Sequence, residues 1–177
     1  MTDLETLEMI REKYGAFLRA SAGRHMHREE VLAGIMMRET RGGTSTLLDV
    51  PGPAGRGDRD KNGIYHGHGL CQIDDRWHKE FIASGKWSDP AENIDYGAGV
   101  LQSARITLSV WSQRYGFPMD AAELERASVA AYNCGAGNVM KAIRAGADVD
   151  SRTAHGTYSR SVLDYAVIYW GILEAAA

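Results

Sequence analysis

The chain reads as a mainly α protein of the α+β kind, a helical bundle with one small β-hairpin insert. Three observations predict it. Apolar residues recur at spacings of three and four over most of the 177 residues, as in helices that bury one face. That periodicity vanishes between residues 42 and 69, where Gly42, Gly43, Gly52, Gly55, Gly57, Gly63, Gly67 and Gly69 sit with Pro51 and Pro53. Within and just beyond that stretch, Ile64-Tyr-His-Gly-His-Gly-Leu-Cys-Gln-Ile73 has the length of two short strands, preceded by the turn pair Asn62-Gly63.

The elements follow in order. Leu4, Leu7, Ile10, Tyr14, Phe17 and Leu18 mark a first amphipathic helix, broken at Ser21-Ala-Gly23. A second helix begins near His27. On it Leu32, Ile35, Met36 and Glu39 fall at i, i+3, i+4 and i+7, one face, and Gly42-Gly43 end it. Three of those four positions are apolar, so the face that turns inward carries Glu39 with it. Burial disfavours a charged carboxylate and raises its pKa, which is how a general acid becomes usable near neutrality. The bland alternative is a solvated Glu beside Arg38.

Residues 42–69 read as a long loop leading into the hairpin, and loops of that length in a compact domain commonly serve function. Asp89-Pro90-Ala-Glu92 looks like a helix start. From there to about Tyr115, Ile94, Ala98, Leu101, Ile106, Leu108 and Trp111 are the expected inward positions; Gly116 and Pro118 end the helix. Asp120-Ala-Ala-Glu123 fits a capping box, followed by Leu124, Ala127, Ala130 and Ala131. Tyr132-Asn133-Cys134-Gly135-Ala-Gly137 interrupts that helix. Asn138 opens a short one that stops at Gly146, and Thr153 to Tyr158 is a connection. Val162, Tyr165, Tyr169 and Ile172 face inward on a last helix. No internal repeat or linker is present, and the length suits one domain spanning 1–177.

Composition excludes several classes. Hydrophobic residues make up 44% and charged residues 24%, with a net charge of -3, so no basic excess points to nucleic acid. No apolar run approaches the ~20 residues of a membrane helix, and no membrane insertion is expected. The opening Met1-Thr-Asp-Leu-Glu-Thr-Leu-Glu lacks the basic and apolar regions of a secretion signal. The expectation is synthesis in the cytoplasm with release by another route. Cys71 and Cys134 are too few for a disulfide framework, and spacing does not say whether they pair. Gly-x-Ser-x-Gly, a P-loop lysine and a dinucleotide fingerprint are all missing, and no cofactor is expected. Neither cysteine has an obvious paired His, which leaves a Cys hydrolase as a runner-up.

Four constellations bear on chemistry. Glu39 ends a helix, Asp58 lies in the Gly-rich loop and Asp74 follows the expected strand; one buried acid with one or two exposed carboxylates is the set that glycoside hydrolysis requires. Asp58-Arg-Asp60-Lys-Asn62-Gly63 matches the first half of a calcium loop, but its twelfth position is Gly69, so a polar turn is the better reading. His66-Gly-His68 places two imidazoles on one strand face, a metal pattern without further ligands at a characteristic spacing. Tyr132-Asn133 before Gly135 suits stacking and hydrogen bonding to a sugar, or a plain helix cap.

Taken together the chain resembles the goose-type lysozymes and, more distantly, the lytic transglycosylase domains of the same lysozyme-like fold. The resemblance rests on Val31-Leu-Ala-Gly-Ile-Met-Met-Arg-Glu39-Thr-Arg-Gly-Gly43, Gly57-Asp58-Arg59, Gly69-Leu-Cys-Gln72-Ile-Asp74, His78-Lys79, Ala130-Ala-Tyr-Asn133-Cys-Gly-Ala-Gly-Asn138-Val and His155-Gly-Thr-Tyr158. These run in family order from about residue 8 to residue 172. The resemblance implies a monomeric, bacteriolytic peptidoglycan muramidase cutting the β-1,4 bond between N-acetylmuramic acid and N-acetylglucosamine. It implies Glu39 as general acid, with Asp58 and Asp74 positioning water in an inverting reaction; Asp60 competes with Asp58 for that place. It further implies Gln72, His78, Tyr132 and Asn133 as sugar-binding positions and Tyr158 as a tyrosine near the acid. The family's usual Met and Ala are replaced here by Cys71 and Cys134. A transglycosylase forming 1,6-anhydro products is the alternative; a wall-binding module without catalysis is a third reading. A phage endolysin is the preferred setting, and a secreted effector would look the same.

Overall fold

The structure, a computed structural model, describes residues 1–176. It is mainly helical with a small three-stranded antiparallel sheet, as the sequence predicts. Its contacts gather into two compact units, Met1–Ala98 with Tyr165–Ala177, and Gly99–Asp164.

In the first unit, α1 (Asp3–His25) opens with a capping box. Thr2 Oγ1 accepts from Glu5 N, and the Glu5 carboxylate accepts from Thr2 N. The expected break at Ser21-Ala-Gly23 does not occur: Ser21 and Ala22 are buried, and the helix runs on until Met26 takes the left-handed conformation. Burial on one helix face overrides the weak breaking tendency of a single glycine. The second helix, α2 (Glu29–Thr40), packs on α1 and ends at Arg41, also left-handed. A Cβ on Gly42 would lie 2.7 Å from the Ile10 side chain, so the chain leaves α2 pressed against α1. Arg41 ties the same corner to the start of α1 through Asp3 (2.8 Å) and Thr6 (3.1 Å).

The sheet consists of β1 (Arg56–Arg59), β2 (Tyr65–His68) and β3 (Ile73–Asp74), in that order. The first strand lies inside the expected loop. Arg56-Gly-Asp-Arg59 carries no apolar side chain, so its period is invisible in hydropathy, yet Arg56 pairs with His68, Gly57 with Gly67 and Arg59 with Tyr65. On the other edge Gly67 pairs with Asp74. A five-residue helix, α3 (Lys79–Ala83), and a 3-10 turn (Lys86–Ser88) follow, neither marked by sequence periodicity. α4 (Pro90–Arg114) begins where Asp89-Pro90 predicts, with Glu92 N donating to the Asp89 carboxylate. Buried Asn93 clips this helix to the sheet's exit: its amide donates to His68 O (3.1 Å) and its carbonyl accepts from Cys71 N (2.8 Å). From Tyr165 onward α7 (Tyr158–Glu174) belongs to this unit, where buried Tyr169 donates to Glu29 at 3.0 Å.

The second unit holds the rest of α4, then α5 (Ala121–Cys134), α6 (Ala136–Arg144), two 3-10 turns (Val149–Arg152 and Ala154–Gly156) and the start of α7. Its core is Leu108, Ala127, Ala130, Ala131, Val139 and Met140. Ile106 is 57% exposed, against expectation. It lies five residues past the buried Leu101, well round the helix from the Leu101–Leu108 line. Asp120 and Glu123 form the predicted capping box. Gly135, at φ +83°, turns α5 directly into α6, which starts two residues before Asn138. Tyr158, expected in a connection, is the buried first residue of α7.

Candidate active site

One guanidinium organises the sheet side of the first unit. Arg76 Nη2 donates to Asp58 Oδ2 and to Asp74 Oδ2, each at 2.5 Å. Its Nε reaches both oxygens of Asp74 at 2.9 and 3.0 Å, and its backbone N–H donates to Asp74 Oδ1 at 2.8 Å. Asp58 and Asp74 come from the two outer strands. On the middle strand Gly67 pairs with Gly57 on one side and Asp74 on the other, and its missing side chain leaves room for the Gln72 amide. Asp58 sits at φ +50°, between paired neighbours, which takes it out of the regular strand alternation. Burial works to raise the Asp74 pKa, but the Arg76 side chain and backbone N–H hold it below the ordinary carboxylate value. The sequence names both aspartates and misses Arg76; a cation two residues after an acid was the available cue.

Glu39 lies in the last turn of α2 and is half-buried. The apolar face of α2 is wide: Val31, Ala33 and Met37 are buried as well as Leu32, Ile35 and Met36. The end of α2 is fastened to the sheet's exit turn: Thr40 Oγ1 donates to Leu70 O at 2.9 Å and accepts from Gly43 N at 3.2 Å. Leu70 leads directly through Cys71 and Gln72 to Asp74. Burial first, and then the Glu39 charge, push the Cys71 thiol up to about 12. A nucleophilic cysteine needs a stabilised thiolate, so this environment opposes the Cys-hydrolase alternative. Cys134 is shifted the same way, by burial and then Asp150. Cys71 and Cys134 are not joined in a disulfide, so the pairing left open by the sequence is not made.

Gln72 is left-handed at φ +48° and uses its amide nitrogen on two backbone carbonyls, Gly69 O at 2.7 Å and Gly55 O at 3.3 Å. It braces the loop before β1 against the turn before β3. His78 is half-buried, its Nδ1 3.1 Å from Tyr96 Oη and its ring edge-on to Tyr96. Burial lowers its pKa, partly offset by Asp74; the neutral imidazole can donate or accept toward a sugar hydroxyl. His66 and His68 do share a strand, but their partner is Asp75, at 2.8 Å from His66 and 3.5 Å from His68. Hydrogen bonding to Asp75 raises the His66 pKa. Asp60 accepts from Asn62 N and Ile64 N, both at 2.8 Å, and so shapes the β1–β2 turn. Among the described residues no group of three or more His, Cys, Asp or Glu is arranged to hold a metal ion.

Tyr132, Asn133 and Tyr158 belong to the second unit. Asn133 is exposed and its carbonyl accepts from Ala154 N at 2.8 Å; Tyr132 is half-buried. Tyr158 is 2% exposed, and its backbone N–H donates to Thr153 Oγ1 at 3.3 Å. The cluster that fixes this corner was not read from sequence: Asp150, 0% exposed, accepts from Ser159 N (2.8 Å), Ser159 Oγ (2.7 Å) and Thr153 Oγ1 (3.2 Å).

What the arrangement offers chemically is a half-buried carboxyl at a helix end, a pair of carboxylates on one guanidinium, and an imidazole nearby in sequence. No protein-family model matches the chain, and no curated protein matches it either.

Proposed function

We propose that the protein is a peptidoglycan muramidase that hydrolyses the β-1,4 bond between N-acetylmuramic acid and N-acetylglucosamine. Glu39 donates its proton to the leaving glycosidic oxygen. Asp58 and Asp74 hold and activate the water that attacks the anomeric carbon from the opposite face, giving inversion. Gln72 and His78 are the proposed glycan-side positions of the first unit. The setting is bacterial wall lysis, by an endolysin or a secreted effector. The observation that carries the reading is the meeting of Asp58 and Asp74, far apart in sequence, on Arg76. Added support comes from the Thr40–Leu70 hydrogen bond, which ties the helix end bearing Glu39 to the turn that delivers Asp74.

The test is digestion of purified peptidoglycan sacculi, with product masses. Wild type is expected to release reducing-end muropeptides, while Glu39→Gln falls by at least ~100-fold, the scale of a lost general acid. Asp74→Asn is expected to fall sharply too. Products carrying 1,6-anhydro-muramic acid, with Asp74→Asn still active, would replace hydrolysis by transglycosylation. No release of either kind would remove the enzyme reading.

A further inference from the structure

We infer that Arg76 is a positioning residue that holds Asp58 and Asp74 together on one guanidinium, so that the pair can serve as the base of the reaction. The inference rests on the muramidase reading for its consequence in catalysis, though not for its electrostatics.

Two carboxylates brought to one point repel, and the usual relief is that one takes up a proton, which removes a base. Here the repulsion is answered by a cation instead. A guanidinium carries its donors in a fixed planar fork that meets carboxylate oxygens from more than one direction. In this structure Nη2 serves both aspartates and Nε serves Asp74 alone. The holding is unequal. Asp74 receives the side chain and the backbone N–H of Arg76, and its own carbonyl accepts from Trp77 N (3.2 Å) and His78 N (3.0 Å). The segment 74–78 is therefore folded back on Asp74 and moves with it. Asp58 has its side chain 58% exposed and is held by Arg76 through one bond. Asp74 is thus the fixed member, and Asp58 the one able to re-aim when glycan enters. Two histidines also act on Asp74: His66 favours its anion, and Asp74 in turn favours protonation of His78. Neither of them bridges the two aspartates.

The experiment compares wild type, Arg76→Ala and Arg76→Lys. It records kcat and KM for reducing-end release from sacculi across pH, and the Asp74 carboxyl titration by NMR on protein labelled at aspartate. For Arg76→Ala the acid limb of kcat and the Asp74 midpoint are expected to move up together by about one to three pH units, the range of an Asp that loses its arginine. The kcat is expected to fall ~10- to 100-fold with KM nearly unchanged. Arg76→Lys, a point charge that cannot fork, is expected to restore part of the acid limb. An unmoved Asp74 midpoint in Arg76→Ala, with melting temperature retained, would overturn the inference. If wild type releases no reducing ends, the muramidase reading fails, while the NMR titration still decides the role of Arg76.

Discussion

Two carboxylate–arginine networks, one in each unit, use the same chemical groups to opposite ends. Around Asp150 the carboxylate is fully buried and satisfied by Ser159 N, Ser159 Oγ, Thr153 Oγ1 and, at 3.3 Å, Arg160 N. The guanidinium groups of Arg126 and Arg160 stand off at 3.8 and 3.9 Å. Backbone and hydroxyl donors at the start of α7 do the holding, and the helix N-terminus favours the negative charge. Around Asp58 and Asp74 the order is reversed. The carboxylates are partly exposed, and one arginine side chain does most of the bridging between strands. A carboxylate satisfied by backbone donors in the interior has no capacity left for a ligand and serves folding. Carboxylates held by an arginine side chain at the surface retain open oxygen lone pairs and access to solvent. The comparison separates a structural acid from candidate catalytic ones without appeal to sequence.

The contrast can be broken at several points. The largest effect is expected from Asp150→Ala, which strips the first turn of α7 of its cap and leaves buried donors unpaired. Removing one partner from such a network costs about 3–5 kcal/mol, to be read as a lowered denaturant midpoint. A loss below ~1 kcal/mol would show that Asp150 is dispensable and dissolve the contrast. Next comes Gly67→Ala. A Cβ there would overlap the Gln72 amide, which is already engaged by Gly55 and Gly69. Overpacking of this kind costs about 1–3 kcal/mol, and activity on sacculi should fall more than stability alone accounts for, because β1 and β3 carry the two aspartates.

The smallest effect is electrostatic. Asp148 is held down to about 2, first by the Arg126 side chain and then by the Asp150 N–H and Arg160. A folded-state pKa below the ordinary value adds stability that is present above the unfolded pKa and is lost as pH falls through the folded one. Stability of the wild type should therefore decline between about pH 4 and about pH 2, and Asp148→Asn should flatten that decline. The side chain is 40% exposed, so the contribution belongs with surface pairs, at ~0.2–1 kcal/mol. Equal acid slopes in the two proteins would count against the pairing.

The sequence alone determined the mainly helical class, because periodic apolar positions such as Leu7, Ile10, Leu101 and Leu108 can be buried together only in helices. It determined the capping box at Asp120, the start at Pro90 and the turn at Gly63, since each depends on residues adjacent along the chain. It also nominated Glu39, Asp58 and Asp74. It could not supply β1, whose residues carry no hydropathy signal, nor the continuation of α1 through Gly23, which depends on what Ser21 and Ala22 pack against. The tertiary structure alone decided that Asp58 and Asp74 share Arg76 and that Asp150 is buried beneath α7. Those facts depend on strand register and on contacts between residues distant in sequence, and no local pattern encodes which of several acids a guanidinium will meet.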